Sequence, residues 1–241
     1  MGTPTLISET YFCSNYTSVW RSLTPSMEDF VRRWNMDGYD REWPPLPSLS
    51  DGDRRGVTNE AGFILFAILR GQAIGEAAPT DDLGKVTRAF SDAARYVYGP
   101  KEWEKHDKFS TTEKREAFAI AGRLLNFFSR EKNVKIWPDF KGSGIISNCR
   151  GDVLVDGDVL YEIKSGERNF RSVDYRQLVM YATLYFAYKR HTLKKVGLIN
   201  PRMGTHIIVD IEIFANEISG QSSVTLFQSV IESFSANLVS L

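Results

Sequence analysis

Apolar and polar positions follow two different patterns along this chain, with the change near Phe109. Before it, the sequence reads as short helices separated by loops rich in turn-forming residues. Thr24-Pro25-Ser26-Met27-Glu28-Asp29 offers an N-cap followed by first-turn acids, which predicts a helix to about Met36. Trp43 to Gly52 contains three prolines, which remove amide donors and restrict the residues before them, so a loop is predicted there. Helices are predicted over about Asn59 to Leu69 and Thr80 to Tyr98. The second has Thr80 as cap, Asp81 and Asp82 in its first turn, and Gly99-Pro100 at its end. The aromatics of this half (Trp20, Trp34, Trp43, Tyr96 and Tyr98) are expected to pack between helices.

After Phe109, Thr111-Thr112-Glu113-Lys114 is expected to cap a helix to about Ser129, with Phe118, Ala121, Leu125 and Phe128 on one stripe. A strand at Val134 to Trp137, two strands around Asp156-Gly157, and a helix from Val173 to Arg190 follow. Then come a strand from Lys195 to Ile199, a turn at Asn200 to Gly204, a strand from Thr205 to Phe214, and a helix from Ser223 to Val239. That order predicts an α/β protein of the α+β type, a mixed sheet covered by helices, with a helical region over 1–105 and the sheet-bearing core over 106–241.

The hairpin is the most informative segment. From Val153, the odd positions Val153, Val155, Val159, Tyr161 and Ile163 are all apolar, while the even ones include Glu162 and Lys164, and Asp152 comes just before. Period two means strands with one apolar face. Keeping all five apolar residues on one face requires opposed residues of the same parity. A two-residue Asp156-Gly157 turn would break that rule, whereas a three-residue loop preserves it. The longer loop is therefore predicted, and it brings Asp152, Glu162 and Lys164 together on the opposite face.

Two carboxylates ~4 Å apart repel by about 4 kcal/mol at an effective dielectric of ~20. A divalent cation removes that repulsion, and Mg²⁺ favours one or two carboxylates completed by water and phosphate oxygens. Lys164 would orient the attacking water and stabilise a charged phosphorus transition state. On the following helix Gln177 and Tyr181, four residues apart, share a face.

Composition narrows the setting. The chain has 241 residues, 42% hydrophobic, enough for one large domain or two small ones. Cys13 and Cys149 are too few for a disulfide framework, a four-thiolate zinc site or an iron–sulfur cluster, and are expected as free thiols in a reducing interior. Met1 to Tyr11 lacks the pattern of a signal peptide, and no apolar run approaches the ~18 residues of a membrane span. A cytoplasmic protein with no membrane partner is expected. Charge balances at 30 basic against 30 acidic groups, which excludes indiscriminate coating of nucleic acid. Divided along the chain, however, the net charge is −3 over 1–105, zero over 106–163, +7 over 164–202 and −4 over 203–241.

Gly151-Asp152, then Glu162-Ile163-Lys164, then Gln177-Leu178-Val179-Met180-Tyr181 resembles the PD-(D/E)XK nuclease superfamily, specifically its RecB-like branch. The resemblance covers roughly Thr111 to Phe214. It implies a restriction-endonuclease-like core with helices on both faces and a Mg²⁺- or Mn²⁺-dependent deoxyribonuclease working in anti-phage defence, restriction or DNA repair. Asp152, Glu162 and the backbone carbonyl of Ile163 would hold the metal, and Lys164 would serve the water. Gln177 would orient active-site groups or touch the substrate, and Tyr181 would support it or stack on a base. Glu113 or, by slight preference, Glu116 would add a ligand, and His106 is a candidate upstream histidine. The literal Pro-Asp pair is Pro138-Asp139, so Asp139 is an alternative metal acid.

Arg168, Arg171 and Arg176 in the basic segment are the expected contacts to a DNA backbone, with Phe170 stacking on a base or packing inward. The helical region over 1–105 would serve recognition, act as a lid, or bind a protein partner or a second copy. The competing expectation is a non-catalytic nucleic-acid-binding or assembly subunit that keeps the fold.

Overall fold

Helices from both halves of the chain cover the two faces of a six-stranded mixed sheet in the computed structural model, which describes residues 6–47, 52–72, 82–106 and 108–236. The chain begins with α1 (Glu9–Asn15), α2 (Thr17–Leu23) and α3 (Met27–Arg33), a wide helical turn over Trp34–Gly38, and β1 (Asp40–Arg41). Then come α4 (Arg55–Leu69), α5 (Asp82–Tyr98), α6 (Thr111–Phe127), β2 (Val134–Ile136), β3 (Asp139–Phe140) and β4 (Cys149–Arg150). The central hairpin is β5 (Val153–Val155) and β6 (Val159–Ile163), followed by α7 (Ser172–Lys189), β7 (Lys195–Asn200), β8 (Thr205–Asp210), α8 (Ile211–Ser219) and α9 (Ser223–Ala236). Strand order is β1-β8-β7-β6-β5-β2, with β3 and β4 forming a separate two-stranded ladder. Among the paired strands of the six-stranded sheet in the described residues, β6 and β7 are the one parallel pair, and α7 is the crossover that a parallel pair requires.

The hairpin register follows the parity rule. Val153 pairs with Tyr161, Leu154 with Leu160 and Val155 with Val159, which leaves a three-residue turn over 156–158. Asp156 and Gly157 both adopt left-handed backbone, at φ 50° and 74°, and the Asp158 amide donates to the Val155 carbonyl at 3.0 Å. Val153, Val155 and Tyr161 enter the core beneath α4, α5 and α6, while Leu160 enters the opposite core with residues of α7, α8 and α9.

Other expectations need correction. The apolar stripe of α6 is Ala117, Ile120, Ala121 and Leu124, with Phe128 following, and Phe118 stays 45% exposed. This rotation lets α6 approach α4 closely: a Cβ on Gly62 would lie 2.7 Å from the Ile120 side chain. The cap of α6 is Ser110, paired reciprocally with Glu113. The last strand stops at Asp210, not Phe214, because the Asp210 carboxylate accepts from the amides of Glu212 and Ile213 and starts α8. Helix α4 begins at Arg55, four residues before the predicted start. The expected cap Thr80, Asp81, and the predicted end of the last helix at Val239 lie outside the described residues.

The division at 105/106 does not separate two packed units. Strand β1 joins the sheet beside β8, α1 to α3 share a core with α7, α8 and α9, and α4 and α5 share one with α6 and the hairpin. The physical reason is burial. Each face of the sheet is apolar, and the helices before residue 106 supply much of its cover. Cys13 and Cys149 are free thiols. Among the described residues no helix is long and apolar enough to cross a membrane.

A buried arginine ties these layers together. Arg202, in the β7–β8 turn and fully buried, donates to Glu116 of α6 at 2.7 Å and to Asn59 of α4 at 2.9 Å. Removing one partner of such a pair strands a charge in the interior. Arg202→Ala should therefore destabilise the fold by about 3–5 kcal/mol, whereas Arg202→Met combined with Glu116→Met should recover most of the loss. Urea unfolding of the three proteins reads both. A double variant no more stable than the single one would show that the pair contributes more than charge compensation.

Candidate active site

Asp152 immediately precedes β5, and extending the same-parity register places it opposite Glu162 on β6. The Asp152 carboxylate accepts from the Ile163 amide at 2.6 Å. Lys164 ends this face, its Nζ donating to Glu162 Oε1 and to Gln177 Oε1, both at 2.7 Å. Gln177 reaches it from α7, where it is buried among apolar neighbours. Four of the expected residues thus form one connected group. Gly151, just before Asp152, admits a close neighbour from the chain itself: a Cβ there would meet the Phe140 ring at 2.9 Å.

The electrostatics match two acids confined together. Burial, then the charge of Glu162, hold Asp152 well above the ordinary carboxylate range, against the opposing pull of Lys164 and the Ile163 amide. Burial alone would lower Lys164, but Glu162 and Asp152 outweigh it and keep the ammonium above its ordinary value. Glu162 is 4% exposed, and its Oε2 is buried without a hydrogen-bond partner. An anionic oxygen left bare in the interior is unfavourable unless a cation meets it.

A small cavity of about 110 Å³ borders this corner, with Asp152, Ile163, Glu60 and Ser165 in its wall. Among the described residues no three acidic, histidine or cysteine side chains form a ready-made metal cage. Mg²⁺ requires fewer, because it commonly binds through one or two carboxylates and keeps its waters. Asp152, the bare Glu162 oxygen and the Ile163 carbonyl are donors of the right hard-oxygen type.

The other expected residues are placed as follows. Glu116 is taken by Arg202, and Glu113 caps its own helix and meets Arg54 at 2.8 Å, so neither carboxylate serves the corner. The helical acid beside Asp152 comes instead from α4. Glu60 went unnoticed in the sequence because it opens a run, Ala61 to Ile68, that is buried on every side and shows no helical stripe. A single carboxylate at the edge of such a run was the available signal. Asp139 lies in the β3–β4 ladder, 72% exposed at its side chain and paired with Arg150 at 2.9 Å, whereas Asp152 faces Glu162. His106 stacks on Tyr98 at 3.9 Å.

Tyr181 is buried and stacks on Phe140 at 5.4 Å, with its hydroxyl 3.4 Å from Glu9, so its ring serves the protein and not a base. Phe170 packs inward against Tyr39 and Tyr175. Arg168 makes two bonds to Asp174, at 2.6 and 2.9 Å. Arg176 is buried and donates to the Cys13 carbonyl at 3.3 Å, with Glu28 at 3.5 Å. Of the three arginines expected on a DNA backbone, Arg171 alone is exposed. The two thiols are not activated nucleophiles, since burial raises Cys149 to about 12 and Cys13 higher still.

Burial raises Glu60 to about 7. Its folded pKa then exceeds that of the unfolded chain, so the group opposes folding progressively as pH rises from the ordinary carboxylate value through about 7. In chelator, Glu60→Gln should match the wild-type melting temperature near pH 4.5 and exceed it at pH 8. A constant difference across that range would contradict the assignment. A scan against protein-family models gives no match, and no curated protein is significantly similar to the chain, so the resemblance noted above rests on its motifs.

Proposed function

We propose that this chain is a metal-dependent deoxyribonuclease with a PD-(D/E)XK-type core. The observation that carries the reading is the corner itself: Asp152 opposed to Glu162, one Glu162 oxygen buried without a partner, and Lys164 fixed between Glu162 and Gln177. The β6–α7–β7 crossover and the helices on both faces of the sheet are compatible with that core.

Asp152, Glu162 and the Ile163 carbonyl would hold Mg²⁺ or Mn²⁺. When bound, the ion supplies charge neutralisation and Lewis acidity at a phosphodiester. The protein's own groups do the positioning. Gln177 accepts one Lys164 hydrogen and Glu162 a second, which leaves the third hydrogen of the ammonium to aim at an attacking water or a phosphate oxygen. A fixed cation there stabilises the negative charge on the phosphoryl oxygens as the water oxygen bonds to phosphorus, its proton passing to solvent, and the P–O3′ bond breaks. The departing 3′ oxygen takes its proton from solvent. The Ile163 amide holds Asp152 in place, so the acid does not have to reorganise as charge develops.

Cleavage of linear, circular and single-stranded DNA with and without Mg²⁺ tests the reading. Asp152→Asn, Glu162→Gln and Lys164→Met should each lower the rate by about 100-fold or more. Gln177→Leu, which loosens Lys164 without removing it, should lower kcat by about 10- to 100-fold, with KM little changed. Mg²⁺ or Mn²⁺ should raise the melting temperature of the wild type but not of Asp152→Asn. Full activity in the first three variants would reject the site. Salt-dependent DNA binding without cleavage would assign the chain to the non-catalytic class.

A further inference from the structure

A larger cavity, about 370 Å³, opens between α4, α5 and the strand ends at Trp137 and Asp152. Asp152, Glu60 and Phe63 line both this cavity and the small one at the corner, so the two spaces adjoin. Its volume lies in the ~300–1,000 Å³ range of sites that enclose small organic groups. Phe63, Tyr96 and Trp137 give it aromatic walls, and Glu60, Asp92 and Asp152 give it carboxylates.

Trp137 is held there at φ 52°, a left-handed backbone conformation that bulky residues rarely adopt. Its amide donates to the Asp152 carbonyl at 2.9 Å, which fixes the residue to the same segment that carries the acid. The indole stands at 78° to Phe63, with ring centres 5.6 Å apart, and remains half-buried. Tyr96 projects from α5 and is 77% exposed. A strained backbone that directs an aromatic side chain toward a cavity is the pattern of a ligand-contacting residue.

The charges choose the ligand. Among the described residues Arg150 is the one cation that lines the wall, and Asp139 already pairs with it at 2.9 Å. Away from the metal corner the cavity offers Glu60 and Asp92, the latter meeting Arg88 at 3.4 Å, and such carboxylate oxygens suit a neutral heterocycle with N–H donors better than a second phosphate. We infer that this cavity receives one unpaired nucleobase from the strand whose phosphate lies at Asp152 and Glu162, its ring against Trp137 and Tyr96 and its N–H donors toward Glu60 and Asp92. The inference rests on the nuclease reading and deepens it. A base that enters the cavity has left its stack, so the substrate is a single strand or a frayed end, not an intact duplex interior.

Two experiments on the full chain test it, the first without reference to cleavage. Deoxynucleosides added in chelator should quench tryptophan fluorescence saturably in the wild type, and much of that response should vanish in Trp137→Phe and weaken in Tyr96→Ala. Tyr96 is exposed on its helix, so that variant retains the fold. Absence of quenching, or full quenching in both variants, would overturn the base site whether or not the protein cuts DNA. In the second experiment, a single abasic nucleotide is moved along a single-stranded oligonucleotide. Placed beside the scissile phosphate it should slow cleavage about 10-fold or more, with Tyr96→Ala showing less discrimination. Cleavage indifferent to every abasic position would overturn the base site while leaving the nuclease reading intact. Loss of all cleavage with quenching preserved would reject the nuclease reading alone.

Discussion

Asp152 and Glu162 face one another because the hairpin register permits no other arrangement, and much of the surrounding structure answers the repulsion this creates. Lys164 takes one Glu162 oxygen and the Ile163 amide takes an Asp152 oxygen. Lys164 in turn depends on Gln177, so α7 must keep its position relative to β6. Helix α7 is secured by Arg176, which reaches α1 through the Cys13 carbonyl and α3 through Glu28. Helices α1 and α3 therefore act on the corner through α7, and α4 reaches it directly through Glu60, which explains why these helices are built into the core instead of standing apart from it.

The same connections account for the cations of the basic segment. Its +7 surplus suggested a groove for a polyanion, yet Lys164, Arg168, Arg176, Lys194 and Arg202 are all engaged by acids or carbonyls of the chain. Several of those acids lie outside the segment, on α3, α6 and the hairpin. Charge counted along a sequence records where cations are made, whereas the surface field depends on which of them remain unpaired after folding. On the proposed reading, recognition of the substrate relies more on the corner and its adjoining cavity than on a broad electrostatic face.

What was legible in the sequence was whatever a local period encodes. The hairpin register could be read because five odd-numbered apolar residues allow one parity, and Gln177 and Tyr181 because four residues make about one helical turn. Signals failed where burial erases the period or two periods agree. Helix α4 is buried on all sides over Ala61 to Ile68, which hid Glu60. The alternation Ile207, Val209, Ile211, Ile213 continues past Asp210, so only the capping geometry reveals that a helix has begun. The role of Glu116 was hidden for another reason: its partner Arg202 lies 86 residues away, and no local pattern announces such a pair.

Several features that oppose folding meet around the start of β5. Asp152 is pushed toward protonation, Glu60 is raised by burial, one Glu162 oxygen lacks a partner, and Trp137 holds a left-handed backbone. Apolar residues at 152 and 162 would continue the neighbouring strand surface and remove most of these penalties, much as replacing a buried ion pair by apolar side chains is often neutral or stabilising. The fold instead offsets them with layers held elsewhere by the Arg202 and Arg176 contacts. Conflicts of several different kinds, gathered at one corner beside a cavity, are what a site under functional demand looks like. That argument is independent of sequence similarity.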